Sequence, residues 1–393
     1  MNDAMQGGDA TPFDFLLLGG GLQACLIILA VRQRQPMASI AVIEAGERLA
    51  GNHTWCLHDG DVTGPAREWL WPALSARWPG YTVRFPGYLR SVPLSYSAVT
   101  SQDLGERAAA ALRQGPHDLR LATTGQVLDD HRVQLGTGEV LRGRRLVVAT
   151  GRADMPRNLG GWQTFLGIEL VTPRPHGLQQ PILMDATVAQ VGGFRFLYVL
   201  PLAPDRLLVE DTCFADAPDL NLAERRQGVL AYAERHDWLP AAEVRCETGV
   251  LPMPWRLPPQ PATNHVRAGV AGGWFHPLTG YSLPWAAAVA EHLAQRDPGE
   301  PLGDGWRALQ QQHRRQQRLP LLLNWALFRM AEPAARTAML DLFYRRDAST
   351  IGRIYALRHT WRDTLALFAG RPPRGMARWP RRWPLTPALE APQ

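Results

Sequence analysis

Apolar residues fall into short blocks separated by stretches rich in glycine, proline and charge along the 393 residues. Phe13–Leu18 is an apolar run of strand length that suits a buried parallel strand. Residues 21–34, dense in Leu, Ile and Ala, follow as a helix that Pro36 ends, and 39–44 (SIAVIE) supplies a second β-branched strand. Together they predict one βαβ unit. Residues 51–105 are rich in Trp, Pro and Gly and show little periodicity. Beyond them the pattern predicts a helix over 102–114 and a strand over 145–150 that ends at Gly151. Two strands over 194–200 and 206–213 are joined by a turn at Pro204 and Asp205, and a helix covers 223–237. A short strand at 268–271 leads through a loop at Gly280 into a helix over 285–295. After Trp306 the pattern is mostly helical until Pro372 and Pro373 break it, and the chain contains no internal repeat.

Composition narrows the class. Apolar residues at 46% support a sizeable core, and charged residues at 20% exclude long disorder away from the ends. Every basic residue is arginine. Residues 301–393 hold 16 arginines against 6 acidic residues, a net of +10, whereas the first 300 carry a net of −4. A basic end on a near-neutral body suits an anionic partner, either lipid headgroups or nucleic acid. Cys25, Cys56, Cys213 and Cys246 form no close pair, which argues against zinc and against a disulfide framework and fits a reducing cytosol; no metal site is expected. Residues 1–14 hold three Asp and no Arg, the wrong charge for a signal peptide. The apolar stretch 319–331 is shorter than the roughly 20 residues that a membrane span needs.

Gly19-Gly20-Gly21-Leu22-Gln23-Ala24 fits the pattern G-x-G-x-x-A between the first strand and its helix. Gly19 permits the tight turn, Gly21 admits a pyrophosphate close to the backbone, and Ala24 lets helix and strand pack closely. Glu44 ends the next strand, where a carboxylate can bind a ribose hydroxyl. Two later segments favour FAD over NAD. Residues 146–151 (LVVATG) return a strand to a small-residue turn at Gly151. Residues 272–282 (GGWFHPLTGYS) open a further helix, with Gly273, Pro277, Gly280 and Tyr281 as candidate cofactor contacts. The fold class expected is α/β: a Rossmann-like FAD-binding domain, an inserted mixed β-sheet substrate domain and a helical C-terminal region. The expected division is 10–60 (FAD-binding βαβ unit), 61–100 (substrate segment) and 101–165 (FAD-domain continuation), followed by 166–265 (substrate-binding sheet), 266–300 (third FAD segment) and 301–393 (basic helical region with a mobile tail).

Several further segments resemble the bacterial lycopene cyclase family. They are Gly51-Asn52-His53-Thr54-Trp55, 162–167 (WQTFLG), Pro175-His176-Gly177, Met184-Asp185-Ala186, 206–212 (RLLVEDT), 276–284 (HPLTGYSLP), Phe343-Tyr344 and 370–373 (GRPP). The likeness spans nearly the whole chain. Cys56 stands where the family pattern has Ser, and the Arg-rich tail after Arg374 has no counterpart in that pattern. The resemblance implies a redox-neutral reaction: a proton adds to a terminal double bond of lycopene or a related C40 polyene, a neighbouring double bond captures the cation, and a proton leaves as a β ring closes. It further implies reduced FAD as cofactor, NAD(P)H as electron donor, and Gly51 and His53 near the cofactor. Other carotenoid-pathway enzymes are possible partners.

Protonating an alkene needs a desolvated carboxylic acid. Glu210 and Asp211 are adjacent, and adjacent strand residues face opposite ways, so only one can meet the substrate. Alternation does not choose between them; the family pattern favours Glu210, with Asp211 orienting it or pairing with an arginine. A solvated turn or a plain salt bridge is the alternative for such a pair. Phe194, Phe196 and Tyr198 share one strand face and suit cation stabilisation or simple packing. His53 suits a contact to flavin or acid, or structural packing beside His58; Trp55 and Trp274 suit a polyene tunnel or ordinary packing. A substrate insoluble in water requires contact with the bilayer, for which 319–330 and 378–384 (RWPRRWP) are candidates, giving a cytoplasmic enzyme peripheral to the inner face of the membrane with no nucleic acid expected. Two other readings share the flavin segments: a flavin-dependent monooxygenase or polyprenyl reductase, and a non-catalytic flavin scaffold whose Arg-rich tail binds nucleic acid.

Overall fold

Strand Phe13–Leu18 is paired by parallel neighbours on both edges, Ile40–Ile43 and Val140–Val148. A strand enclosed in that way is covered on both faces, so its sequence reads as a continuous apolar run with no alternation. His117–Arg120 and Val266–Arg267 extend the parallel set outward, and Gly125–Val127 with Arg132–Leu135 adds an antiparallel flap. Helices Leu22–Arg34, Ser101–Leu112 and Leu283–Ala294 pack together over this sheet and share one hydrophobic core with it. The computed structural model describes residues 11–151, 156–238, 240–261, 263–369, 373 and 375–377.

A second sheet of seven strands runs in the order Ala242–Pro254, Gly160–Val171, Arg206–Ala215, Gly193–Ala203, Ile182–Asp185, Tyr81–Phe85, Tyr88–Val92. Strand Gly160–Val171 crosses the junction expected at 165/166, so the chain enters this part of the larger sheet at Gly160 and not at 166. One face of this sheet is covered by helix Leu222–Arg235, with Leu166, Ile168, Val209, Val229 and Tyr232 between them. Its other face looks toward the first domain and carries the polar residues considered below. The stretch 51–105 that lacked periodicity folds as short pieces. Thr54–His58, Tyr96–Thr100 and Ala76–Trp78 form a small three-stranded sheet, while Tyr81–Phe85 and Tyr88–Val92 join the large one.

Two local expectations are corrected. The short strand predicted at 268–271 is instead a strand at Val266–Arg267 followed by a 3₁₀ turn at Val270–Gly272. Gly269 and Gly273, at φ +60° and +79°, break the extended run on either side of that turn. The apolar stretch 319–331 turns mostly inward: Leu319, Leu327 and Phe328 are buried, and the Phe328 ring occupies the space left by the absent side chain of Gly161. Among the described residues no helix is long and apolar enough to cross a membrane. The proposed tail segments 370–372 and 378–384 lie outside the described residues.

Candidate active site

The glycine turn has the geometry its sequence requires. Gly19 sits at φ +102°, and a Cβ there would lie 2.4 Å from the Ala149 carbonyl oxygen. At Gly20 a Cβ would press on Glu44 and Leu49, whereas at Gly21 it would meet no atom within 4 Å. Gly21 therefore carries the open face of the turn. The helix that follows has no side-chain cap and no acidic residue in its first turn, so its leading N–H groups are free for an anion. Ala24 is fully buried in the strand–helix contact. Glu44 accepts the N–H of Gly20 on one carboxylate oxygen and that of Gly46 on the other. Each oxygen keeps a further lone pair, which is compatible with a ribose hydroxyl. These residues fit a dinucleotide.

The other two segments converge on the same turn. Val140–Val148 runs parallel to Phe13–Leu18 and delivers Gly151, at φ +75°, beside it. Gln23, which the motif leaves unspecified, holds the third segment in place: Gly269 N–H donates to its Oε1, and its Nε2 donates to the Ala286 carbonyl. His276 fixes the loop that follows. Its Nδ1 accepts the N–H groups of Leu278 and Thr279 and its Nε2 donates to the Ile354 carbonyl, so the ring is neutral. Burial moves the His276 pKa down to about 4. The Pro277 carbonyl accepts from Asn324. Gly273 and Trp274 turn the other way. The Gly273 carbonyl is bound by His313 and Gln317, and Trp274 packs among Trp285, Trp306 and His313.

Between the third glycine segment and the large sheet lies a cavity of about 310 Å³. His53, Trp55 and Cys56 line it from one side, Gly280 and Tyr281 from the third segment, and Phe165, Phe196, Tyr198 and Glu210 from the sheet. Gly51 forms the exposed turn, at φ +61°, that leads into the first of these walls. His53 meets Trp55 edge-on, and desolvation holds its ring below the usual histidine range. The hydroxyl groups of Tyr198, Tyr96 and Tyr281 and the Cys56 thiol form one hydrogen-bonded chain along the wall. Phe194 packs behind, against Phe85 and Phe214, and His58 is enclosed by Tyr81, Tyr96 and Tyr355; neither reaches the cavity.

The structure separates the two adjacent acids. Glu210 faces the cavity, and Thr212 donates to its Oε1. Among the described residues it has no arginine or histidine partner, and burial, followed by the nearby Glu247 carboxylate, pushes its pKa up to about 8. Asp211 points to the opposite face, fully buried, where Arg195 and the Arg225 guanidinium of helix Leu222–Arg235 clamp it. Sequence reasoning missed the residues beside Glu210. Glu247 lies two strands away on the same sheet face, ion-paired to Arg245 and accepting from Thr54 at 3.1 Å. Arg245 also binds Glu169, which Arg206 holds from the other side. The only signal was an alternating Arg245–Glu247 pair in a strand whose pairing partners were unknown.

Residues 14–380 match the family model described as lycopene cyclase protein. The chain belongs to the lycopene cyclase family. It is 39% identical over 368 residues to the lycopene beta-cyclase of Pseudescherichia vulneris, covering 92% of this chain and 94% of that one. To the lycopene beta-cyclase of Pantoea ananas it is 36% identical over 372 residues, covering 92% and 95%. Among solved structures, a geranylgeranyl bacteriochlorophyll reductase-like protein from Thermoplasma acidophilum superposes with TM-score 0.63 at 14% identity, over 91% of this chain and 96% of that one. A probable FAD-dependent monooxygenase from Pseudomonas aeruginosa superposes with TM-score 0.57 at 15% identity, over 92% and 100%. The lycopene cyclase chain thus shares the α/β fold of these two proteins, as expected from its glycine segments.

Proposed function

We propose that the protein is a lycopene beta-cyclase: it closes the ψ ends of lycopene into β-ionone rings, giving γ-carotene and β-carotene without net oxidation. The observation that carries this reading is Glu210, a buried carboxyl group without a cationic partner among the described residues, in the wall of a cavity that His53 and the third cofactor segment, at Gly280 and Tyr281, also line. At pH 7 a group with a pKa of about 8 holds its proton in about nine molecules of ten. Glu210 donates that proton to a terminal double bond. The tertiary cation is attacked by the next double bond within reach, the ring closes, and loss of a ring proton restores neutrality. Phe165, Phe196 and Tyr198 offer aromatic faces to the cation, each contributing up to roughly 2 kcal/mol when desolvated.

Gly19, Gly21, Ala24, Glu44, Gly51, His53, Gly151, Pro277, Gly280 and Tyr281 are the candidate contacts for FAD, with the pyrophosphate at the open face of Gly21, whereas Gly273 faces His313 and Gln317. Reduced FAD, bound there, supplies an electron-rich surface that stabilises positive charge in a low-dielectric site, with NAD(P)H as the source of its electrons. The helix Trp361–Phe368 supports peripheral attachment to an anionic bilayer. Trp361, Leu365 and Phe368 share one face and are 68%, 61% and 53% exposed, with Arg362 beside them. Expression in a lycopene-accumulating cell tests the activity: cyclic carotenes are expected, and unchanged lycopene would refute it. A redox enzyme on this fold would consume NAD(P)H in proportion to product, whereas the cyclase needs it only to keep the flavin reduced.

A further inference from the structure

The cavity face of the large sheet carries three buried carboxyl groups, Glu169, Glu210 and Glu247, and two guanidinium groups reach them. Arg206 and Arg245 both bind Glu169, and Arg245 also binds Glu247. Glu210 is the carboxyl left over. Its distance from Glu247 is set by one residue of the strand between them. Gly167 is the register partner of Glu210 on one side and of Glu247 on the other. A Cβ at Gly167 would lie 3.2 Å from Glu247 Cγ and 3.4 Å from Glu210 Cβ. Any other residue would put its side chain between the two carboxyl groups. With glycine, the two side chains and Leu208 Cδ1, also 3.2 Å from that position, close directly over the backbone in a region of low dielectric.

We propose that Glu247 is a positioning residue for the cyclisation: pinned by Arg245 and Thr54, it presents its charge to Glu210 over the backbone of Gly167 and keeps that acid in its proton-carrying form. This rests on the reading of Glu210 as the proton donor. Two like carboxylates in a desolvated site cannot both ionise cheaply, so the one with a guanidinium partner holds the charge and the other holds the proton. The remaining groups facing Glu210 do not substitute for Glu247. Thr212 on its own strand donates to the carboxyl and favours the charged form. Tyr198 stands opposite on the strand Gly193–Ala203, with its hydroxyl taken by Tyr96 and Cys56. His53 and Cys56, on the segment across the cavity, are held uncharged by desolvation. Asp211 points to the far face between Arg195 and Arg225, and the positive Arg245 works in the opposite sense to Glu247.

The test is the pH dependence of lycopene cyclisation by the flavin-loaded enzyme on lipid vesicles. Glu247→Gln keeps the shape and removes the charge. The alkaline limb should move to lower pH by about one unit, a roughly tenfold loss at pH 8–9, while the rate on the acidic side of the limb stays within a few-fold of the parent. Glu247→Asp keeps the charge but withdraws it by one methylene, and should shift the limb the same way by less. A limb that stays in place, or a loss equal at every pH, overturns the proposal. Glu210→Gln is run in parallel: if it still turns over, the donor assignment fails. If it is inactive and the limb of the Glu247 variants does not move, only the role of Glu247 fails.

Discussion

Glu210 and Asp211 are consecutive in the chain, yet Asp211 is clamped by two guanidinium groups and Glu210 has none among the described residues. The strand ties one acid into an ion-paired cluster on its structural face and leaves the other as a proton carrier on its cavity face. Removing them should therefore fail in different ways. Glu210→Gln should fold, retain flavin and lose cyclisation by about 10²–10⁴-fold, the span usual for a general acid. Asp211→Asn should instead cost roughly 3–5 kcal/mol of stability, because Arg195 and Arg225 lose their buried counter-charge. Product analysis and thermal melts on both variants separate the roles.

A raised carboxyl pKa has a stability cost with a definite sign. The unfolded chain releases the Glu210 proton above about 4.5, while the folded chain holds it until about 8. Stability is thus greatest below the lower value and falls as pH rises between the two. Glu210→Gln removes this penalty. The variant should match the parent near pH 4 and exceed it at pH 7 by up to about 3 kcal/mol, read by denaturant unfolding at both pH values.

Gly21 separates cofactor binding from folding. Because a Cβ there meets no protein atom within 4 Å, Gly21→Val should leave the melting temperature of the cofactor-free protein nearly unchanged. The valine would occupy the space that a pyrophosphate needs at the helix N-terminus, so the variant should purify colourless. Gly19→Val, in contrast, forces a side chain into the Ala149 carbonyl at φ +102° and should not accumulate as folded protein. A yellow Gly21→Val protein would remove the glycine turn from the cofactor site.

What the sequence could and could not reveal follows from the range of each interaction. The first βαβ unit was legible because a buried parallel strand, a glycine turn and an apolar helix are all written in consecutive residues. The acidic strand and its hairpin partner were legible for the same reason, but which acid faced the cavity was not. Period-2 alternation fixes that neighbours differ without fixing which face is inside. Glu247, Arg245, Glu169 and Gln23 were missed because, the Arg245–Glu247 pair itself aside, their partners stand tens to hundreds of residues away, brought together by tertiary contacts that no local pattern encodes. The strand expected at 268–271 failed through glycines at positive φ, which composition flags as turn formers but does not place. For Trp274 the sequence left a tunnel wall and ordinary packing both open, and the fold packs it among Trp285, Trp306 and His313.

The exposed face of helix Trp361–Phe368 should be where a bilayer is met. Replacing Trp361, Leu365 and Phe368 together by Ser should weaken partition onto anionic vesicles by at least about tenfold, since each side chain offers roughly 1.5–3 kcal/mol on burial in lipid. The helix is held by the capping box of Thr360 and Asp363 and by the Arg353–Asp363 ion pair, none of which is touched, so the melt should not move. Unchanged partition would exclude this face as the point of attachment.

The most direct test of the central claim is cyclisation of lycopene in D₂O by the purified, flavin-reduced enzyme, followed by mass analysis of the product. Proton donation from an exchangeable carboxyl group predicts one deuterium retained in each new ring, with NAD(P)H consumption far below product. Cyclic carotene formed without deuterium, or with reductant consumed mole for mole, would contradict the account.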